Sequence, residues 1–420
     1  MLLVYIVLAH LAAPFAFAVL LWRGLRDRSY WERLGERFGC GDLRLGERSL
    51  WVHAVSVGEV QAAASLVRAL RARHAEFPLL LTTTTPTGLA RARSLFGDSV
   101  HLSYLPYDLP GSVRRFLDRV RPRLAVILET ELWPNLFHEC GRRGIPLVLA
   151  SARVSPRSVA RYRRLAGLIR DTLSHDVVIA AQSAGDAERF ISIGANPART
   201  HVTGNVKFDF ELPATLAAGG ARLRGEYAGS RPVWAAGSTH AVEEDIILDA
   251  HVKLLDGGLN ALLVLAPRHP NRFDEVAANL RRRGLRFVRR SLQSSAGPET
   301  QVVLADTLGE LLLFYAAADV AFVGGSLVPV GGHNLLEPAA LGLPILTGPD
   351  TSNAEDVARL LLEVGAGCMV RDATGLAIEL ARLLRDPQAR LSSGERGRAA
   401  VEANRGAVER VLAVITPLLV

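Results

Sequence analysis

The sequence predicts an α/β protein made of two Rossmann-like halves behind an apolar N-terminal helix. Three observations predict this. Short apolar runs alternate with amphipathic stretches of helical period, the signature of βαβ units and a largely parallel sheet. The alternation breaks once, over residues 205–232, a stretch containing much Gly, Ala and Pro, and then restarts. The first 22 residues contain no Asp, Glu, Lys or Arg. Composition agrees: 420 residues, 49% of them hydrophobic and 22% charged, make a folded chain with an ample core and exclude a mainly disordered one.

In chain order, residues 1–22 form a transmembrane or membrane-anchor segment. As a helix rising about 1.5 Å per residue, they are long enough to cross a hydrocarbon core of about 30 Å. Arg23, Arg26 and Arg28 follow at once, and no basic residue precedes the run. The positive-inside rule then places the bulk of the protein on the cytoplasmic side, as a single-pass protein. A cleaved signal peptide, with Ala16-Phe17-Ala18 as its processing site, would carry its positive charge before the apolar run. Pro14 and His10 leave room for partial insertion. Residues 23–48 read as a basic juxtamembrane segment whose arginines and aromatic rings suit an anionic membrane surface, or as a solvated linker helix.

Strands are expected at 51–55, 79–83, 124–128, 147–150 and 177–180, with helices at 60–73, 111–120 and 159–173 between them; together they define an N-terminal domain, 49–204. A linker over 205–232 leads to a C-terminal domain, 233–420. Its strands are expected at 233–236, 262–266, 302–304, 320–323 and 345–346, with helices at 241–255, 275–283, 308–317 and 354–364, and helical sequence from 375 onwards. In such sheets ligands bind beyond the carboxyl ends of the strands.

The balance of 49 basic against 42 acidic residues favours anionic partners. Of the basic residues 47 are arginine, a composition bias that makes Lys207 and Lys253 conspicuous. No Walker A motif is present, and the basic clusters at 161–164 and 281–283 match no nucleic-acid motif, so neither an ATPase nor nucleic-acid binding is expected. Cys40, Cys140 and Cys368 lie far apart, without a CxxC or HExxH, so neither a disulfide framework nor a metal site is expected, nor any cofactor.

The most specific segment is FVGGSLVPVGGHNLLEP at 322–338, followed by GLP at 342–344. A strand ends in glycines, a loop leads to a second glycine pair, and a helix is expected from about Asn334. Glycines admit a ligand close to the backbone, and helix N-termini attract phosphate. Glu337, one turn in, suits ribose hydroxyls; a glycine-rich turn with Asn334 as a helix cap is the plainer reading. Glu59 opens a helix after the strand at 51–55, where it complements the helix dipole or serves as a general base. Glu129 and Glu131, two apart, point to one sheet face unless the strand has already bent; they suit acid/base work or two separate salt bridges.

The 322–338 segment resembles the donor-site motif of GT-B glycosyltransferases. The fuller resemblance is to the transferases of 3-deoxy-D-manno-octulosonic acid (Kdo) in lipopolysaccharide synthesis. WVHAVSVGE at 51–59, LETELWPN at 128–135, GNVKFD at 204–209, AAGSTH at 235–240, APRHP at 266–270 and DTLGEL at 306–311 carry it over nearly the whole chain. It implies a GT-B fold with two Rossmann-like domains facing a cleft, the first binding the acceptor and the second the CMP-sugar. It further implies an inverting, metal-independent transfer of Kdo from CMP-Kdo to a lipid A precursor (lipid IVA) at the inner membrane. Glu59 is then the proton acceptor, and Glu129 and Lys207 are transition-state stabilisers. Pro267, Arg268, Gly309, Glu310, Leu311, Asn334, Leu335, Leu336 and Glu337 then bind CMP. No role passes to Glu131. Two other readings are a GT-B transferase or epimerase using a UDP-sugar, and a non-catalytic membrane-bound sugar-lipid binding module.

Overall fold

A computed structural model describes residues 1–46, 48–292 and 296–419. Among these, the strands form two separate all-parallel sheets of seven, each in its own unit: Met1–Phe210 with Asn404–Val420, and Glu211–Ala403.

In the first unit the strands are β1 (Ser49–His53), β2 (Leu79–Thr83), β3 (His101–Tyr104), β4 (Pro122–Leu128), β5 (Leu147–Ala152), β6 (Val178–Ala181) and β7 (Thr200–Val202), in the order β3-β2-β1-β4-β5-β6-β7. Both faces of the central strands are buried, as parallel sheets require. Alternate residues of β1 serve opposite cores. Leu50 and Val52 pack with the helices Val57–Arg73 and Ala407–Ile415, while Trp51 packs with Pro110–Val120 and Pro134–Arg142. The chain reverses direction across the sheet between β1 and β4, where ligands bind in open α/β folds.

The second unit contains β8 (Val233–Thr239), β9 (Leu262–Pro267), β10 (Phe287–Arg289), β11 (Val302–Leu304), β12 (Val320–Val323), β13 (Ile345–Thr347) and β14 (Gly367–Met369), in the order β10-β11-β9-β8-β12-β13-β14. Its corresponding reversal lies between β8 and β12.

Two domain boundaries differ from the sequence reading. The chain does not stay in the second unit to its end: Ala407, Val411, Leu412 and Ile415 are buried in the core behind β1, and Asp209 caps their helix at Gly406 N (2.6 Å) and Val408 N. An amphipathic helix looks the same in sequence whichever sheet it covers. The stretch 205–232, within which the chain passes from the first unit to the second, is not irregular throughout. Val206 and Phe208 are buried in a 3-10 turn, and Leu216–Tyr227 is a helix. Its glycines serve close packing: a Cβ on Gly220 would lie 2.6–2.7 Å from Ala316, on the neighbouring helix Leu311–Ala317.

The N-terminal helix runs over Leu2–Arg26 and is long and apolar enough to cross a bilayer. One side meets the first unit: Tyr5 Oη donates to Asp108 (2.9 Å), Phe17 packs edge-on against Phe38, and Leu20 is buried. Leu3, Val7, Leu11, Phe15 and Trp22 on the other side are exposed.

Candidate active site

The loops after β1, β4 and β7 bring charged groups together. After β1, Ser56 caps the helix Val57–Arg73, and Glu59 in its first turn reaches back: Oε2 accepts from Val55 N at 2.9 Å and Oε1 from Ser56 Oγ at 3.3 Å. This is a variant of the capping box, but it leaves the partly exposed carboxylate with acceptor capacity to spare. Burial raises the Glu59 pKa above the ordinary carboxylate value; the bond from Val55 opposes this, Glu129 adds to it, and Lys207 opposes it. A raised carboxylate is a better proton acceptor, once ionised, than an ordinary one.

β4 ends at Leu128, and Glu129 turns the chain with φ at 58°. The strand has bent, so Glu129 and Glu131 do not share a face as strand residues would. Glu129 Oε1 meets Lys207 Nζ at 2.6 Å, and Oε2 meets Arg153 Nε at 3.3 Å. Burial works against its charge, but Lys207 and then Arg153 outweigh burial and lower its pKa. Lys207 is held in the 3-10 turn Val206–Phe208, where Asn205 Oδ1 accepts from its backbone N–H at 2.9 Å. Glu131 is different. Burial and the nearby charge of Glu59 push its pKa up to about 7, only partly offset by Trp133.

In the second unit the glycine-rich turn after β12 is a nest of backbone N–H groups, and Glu243 occupies it. Fully buried, its carboxylate accepts from Gly325 (2.7 Å), Ser326 (3.1 Å) and Leu327 (2.9 Å), and from His240 N (3.3 Å). The expectation that this first glycine pair offers open backbone to a ligand is therefore corrected. The second pair, Gly331-Gly332, keeps positive φ (99° and 72°) and leads to exposed Asn334, whose Oδ1 accepts from Leu336 N at 3.0 Å. The helix Leu336–Ala340 that follows is short. It contacts the helix Leu311–Ala317, where Glu337 lies near the buried Tyr315. Leu335 and Leu336 are core residues, as is Pro267 at the end of β9, whereas Arg268 and Gly309 (φ 83°) are exposed. Glu310 is paired with Arg290 at 2.8 Å. His240 Nε2 and His333 Nε2 stand 2.7 Å apart with stacked rings. Burial, then His240 and Arg268, lower the His333 pKa to about 4, so this imidazole is neutral at physiological pH.

Comparison with known proteins shows the family of the chain that carries these loops. Residues 32–210 match the family model described as 3-deoxy-D-manno-octulosonic-acid transferase (kdotransferase). A 3-deoxy-D-manno-octulosonic acid transferase of Haemophilus influenzae is 41% identical over 94% of this chain and 93% of its own length. One of Bordetella pertussis is 40% identical over 95% of each. The chain belongs to the Kdo transferase family. Its activity is therefore glycosyl transfer of Kdo, and it is not a binding module. The fold agrees: UDP-GlcNAc 2-epimerase of Neisseria meningitidis superposes over 88% of this chain and all of its own, with a TM-score of 0.59 at 15% identity. MurG of Acinetobacter baumannii does so over 88% of this chain and all of its own, at 0.53 and 15%. These likenesses give the two-sheet GT-B architecture.

For a Kdo transferase of this sequence, the structure gathers Glu59, Glu129 and Lys207 within electrostatic reach in the first unit. In the second it gathers Arg268, His240 and His333. Sequence reasoning missed Glu243. Glu131 had a signal in its spacing from Glu129, which the sequence reading noted without giving it a role. Glu243 had none, because the turn it fills lies 82 positions away.

Proposed function

We propose that this protein transfers Kdo from CMP-Kdo to a lipid A precursor, lipid IVA, with inversion at the anomeric carbon. Glu59 takes the proton of an acceptor hydroxyl as that oxygen bonds to the anomeric carbon. The bond from that carbon to the phosphate oxygen breaks, and CMP leaves with the electron pair. Lys207 and Glu129 form a preorganised charge pair around the oxocarbenium-like transition state; fixed charges of this kind need no reorganisation during the reaction. Arg268 meets the phosphate, for which a guanidinium fork is suited. Gly309, Glu310, Leu311, Asn334 and Glu337 surround the nucleotide, with Pro267, Leu335 and Leu336 holding their loops from the core side. No metal or cofactor enters this scheme; Lys207 and Arg268 supply its positive charge.

The observation that carries this reading is the Glu59 carboxylate. It is held by two hydrogen bonds, has spare acceptor capacity, and carries a raised pKa beside the Lys207–Glu129 pair. The test is purified protein given CMP-Kdo or a UDP-sugar with the tetra-acylated lipid A precursor, the products being read by mass spectrometry. Addition of Kdo mass from CMP-Kdo alone supports the reading; transfer from a UDP-sugar, or none from CMP-Kdo, overturns it.

We also propose that the N-terminal helix seats the enzyme on the cytoplasmic face of the inner membrane by partial insertion. Its contacts with the first unit at Tyr5 and Phe17 lie about 18 Å apart along the helix axis. That much of the helix rests on the protein body while its other face stays apolar and exposed. The arginines of the 23–48 segment would meet anionic headgroups. Deleting residues 1–22 should release the protein from vesicles of anionic lipid while CMP binding survives.

A further inference from the structure

We propose that His138, Asp171 and His175 form a binding site for a divalent transition-metal ion of the zinc class. His138 lies on the helix Pro134–Arg142, Asp171 in the last turn of the helix Ala166–Leu173, and His175 just beyond it; the two helices pack together. His138 Nδ1 and His175 Nε2 face each other at 3.4 Å, with their rings at 77°. That separation is long for a hydrogen bond between imidazoles. It is the right length for two ligands of one ion: with zinc–nitrogen bonds of about 2.0–2.1 Å, neighbouring corners of a tetrahedron stand about 3.3–3.4 Å apart.

Asp171 supplies the third corner. It stands four residues before His175, at the end of the helix whose following turn carries that histidine, and the ligand atoms of all three residues lie within 4.8 Å of one another. The Asp171 side chain is exposed and free to rotate inward by the ångström or so that closer coordination needs. His175 is held more firmly. It sits in a notch over Gly141, where any Cβ would come within 2.6 Å of it. Both histidines are partly exposed, which gives an ion an entry path and a water the fourth position. Two imidazoles and one carboxylate, without a thiolate, favour Zn²⁺, Co²⁺ or Ni²⁺ over Mg²⁺ or Ca²⁺. The sequence hides this site, because 37 positions separate the two histidines and no ligand motif joins them. A bound ion would tie the helix that follows Trp133 to its neighbour, and so would stabilise the folded chain.

The test uses the full-length protein in detergent, purified without a histidine tag and stripped of metal. Titration with ZnCl₂ by calorimetry should give about one equivalent bound, in a three-ligand site with one open position. Co²⁺ should give the visible absorption of a tetrahedral complex, and Zn²⁺ should raise the melting temperature. His138→Ala and Asp171→Asn both change residues that are at least partly exposed, so each variant should fold. Each should weaken zinc binding by roughly 10–100-fold or more. The double variant His240→Ala/His333→Ala, which removes the other histidine cluster, should bind zinc as the parent does. No stoichiometric binding by the parent, binding unchanged in His138→Ala, or binding lost only in the His240→Ala/His333→Ala variant would each overturn the assignment.

Discussion

Glu59 and Glu243 occupy equivalent places in the two sheets. Each stands in the first turn of the helix after the first strand of its sheet, beside the point where the strand order reverses. Their surroundings differ. Glu243 is fully buried and accepts four backbone N–H groups, so it acts as an internal anion that shapes the turn after β12. Glu59 accepts two bonds, one of them long, is partly exposed, and has a raised pKa. A first-turn glutamate is thus structural or chemical according to how fully its lone pairs are used, and the helix position alone does not say which.

Substitutions should separate the two roles. Glu59→Gln preserves shape and the capping bonds but removes the base. Turnover should fall by roughly 10²–10⁴, with CMP affinity and melting temperature close to the parent. Lys207→Ala should lower turnover by roughly 10²–10³, the scale for one preorganised charge, and raise the pKa of Glu129 by removing its nearest cation. Glu243→Gln should act on stability instead. An amide NH₂ would face backbone donors, and the lost charge-assisted bonds should cost about 1.5–3 kcal/mol, readable by denaturant melts. If Glu243→Gln folds normally yet loses turnover, the contrast between the two glutamates collapses.

The smallest effect is expected at Glu131. Its pKa is raised from 4.5 to about 7, so the folded protein holds a proton there that the unfolded chain has released. Its contribution to stability is full below about 4.5 and is lost as pH rises towards 7. Glu131→Gln mimics the protonated form, so its turnover near neutral pH should fall by less than roughly tenfold, short of a general base. Melting curves across this range should show that the variant lacks the parent's decline with pH.

How much of this could be read in the sequence follows from where each element sits. Every strand expected from an apolar run is found. The strands that escaped notice, β3, β7, β10 and β14, are the four sheet edges. An edge strand is short and half-exposed, so it carries no apolar run: β7 is Thr200–Val202, and β10 is flanked by arginines. The helix Ala407–Ile415 was recognisable as a helix but not as a partner of the first sheet, because periodicity reports a buried face without naming what buries it. Glu59, Glu129 and Lys207 lie far apart in sequence. Strand ends and the rarity of lysine pointed to them, their roles came from family resemblance, and only the structure brings the Lys207 ammonium to within 2.6 Å of Glu129. The filling of the β12 turn by Glu243 depends on one side chain reaching from the helix after β8 to the turn after the neighbouring strand, which no local pattern announces.

The most direct test of Glu59 as the open member of the pair is the pH dependence of kcat/KM for the parent and for Glu59→Gln. In the parent, activity should fall on the acid side with an apparent pKa above the ordinary carboxylate value of 4.5. In Glu59→Gln, the residual rate should be flat through that range. The same acid limb in the variant, at near-parental turnover, would contradict the assignment of Glu59 as the base.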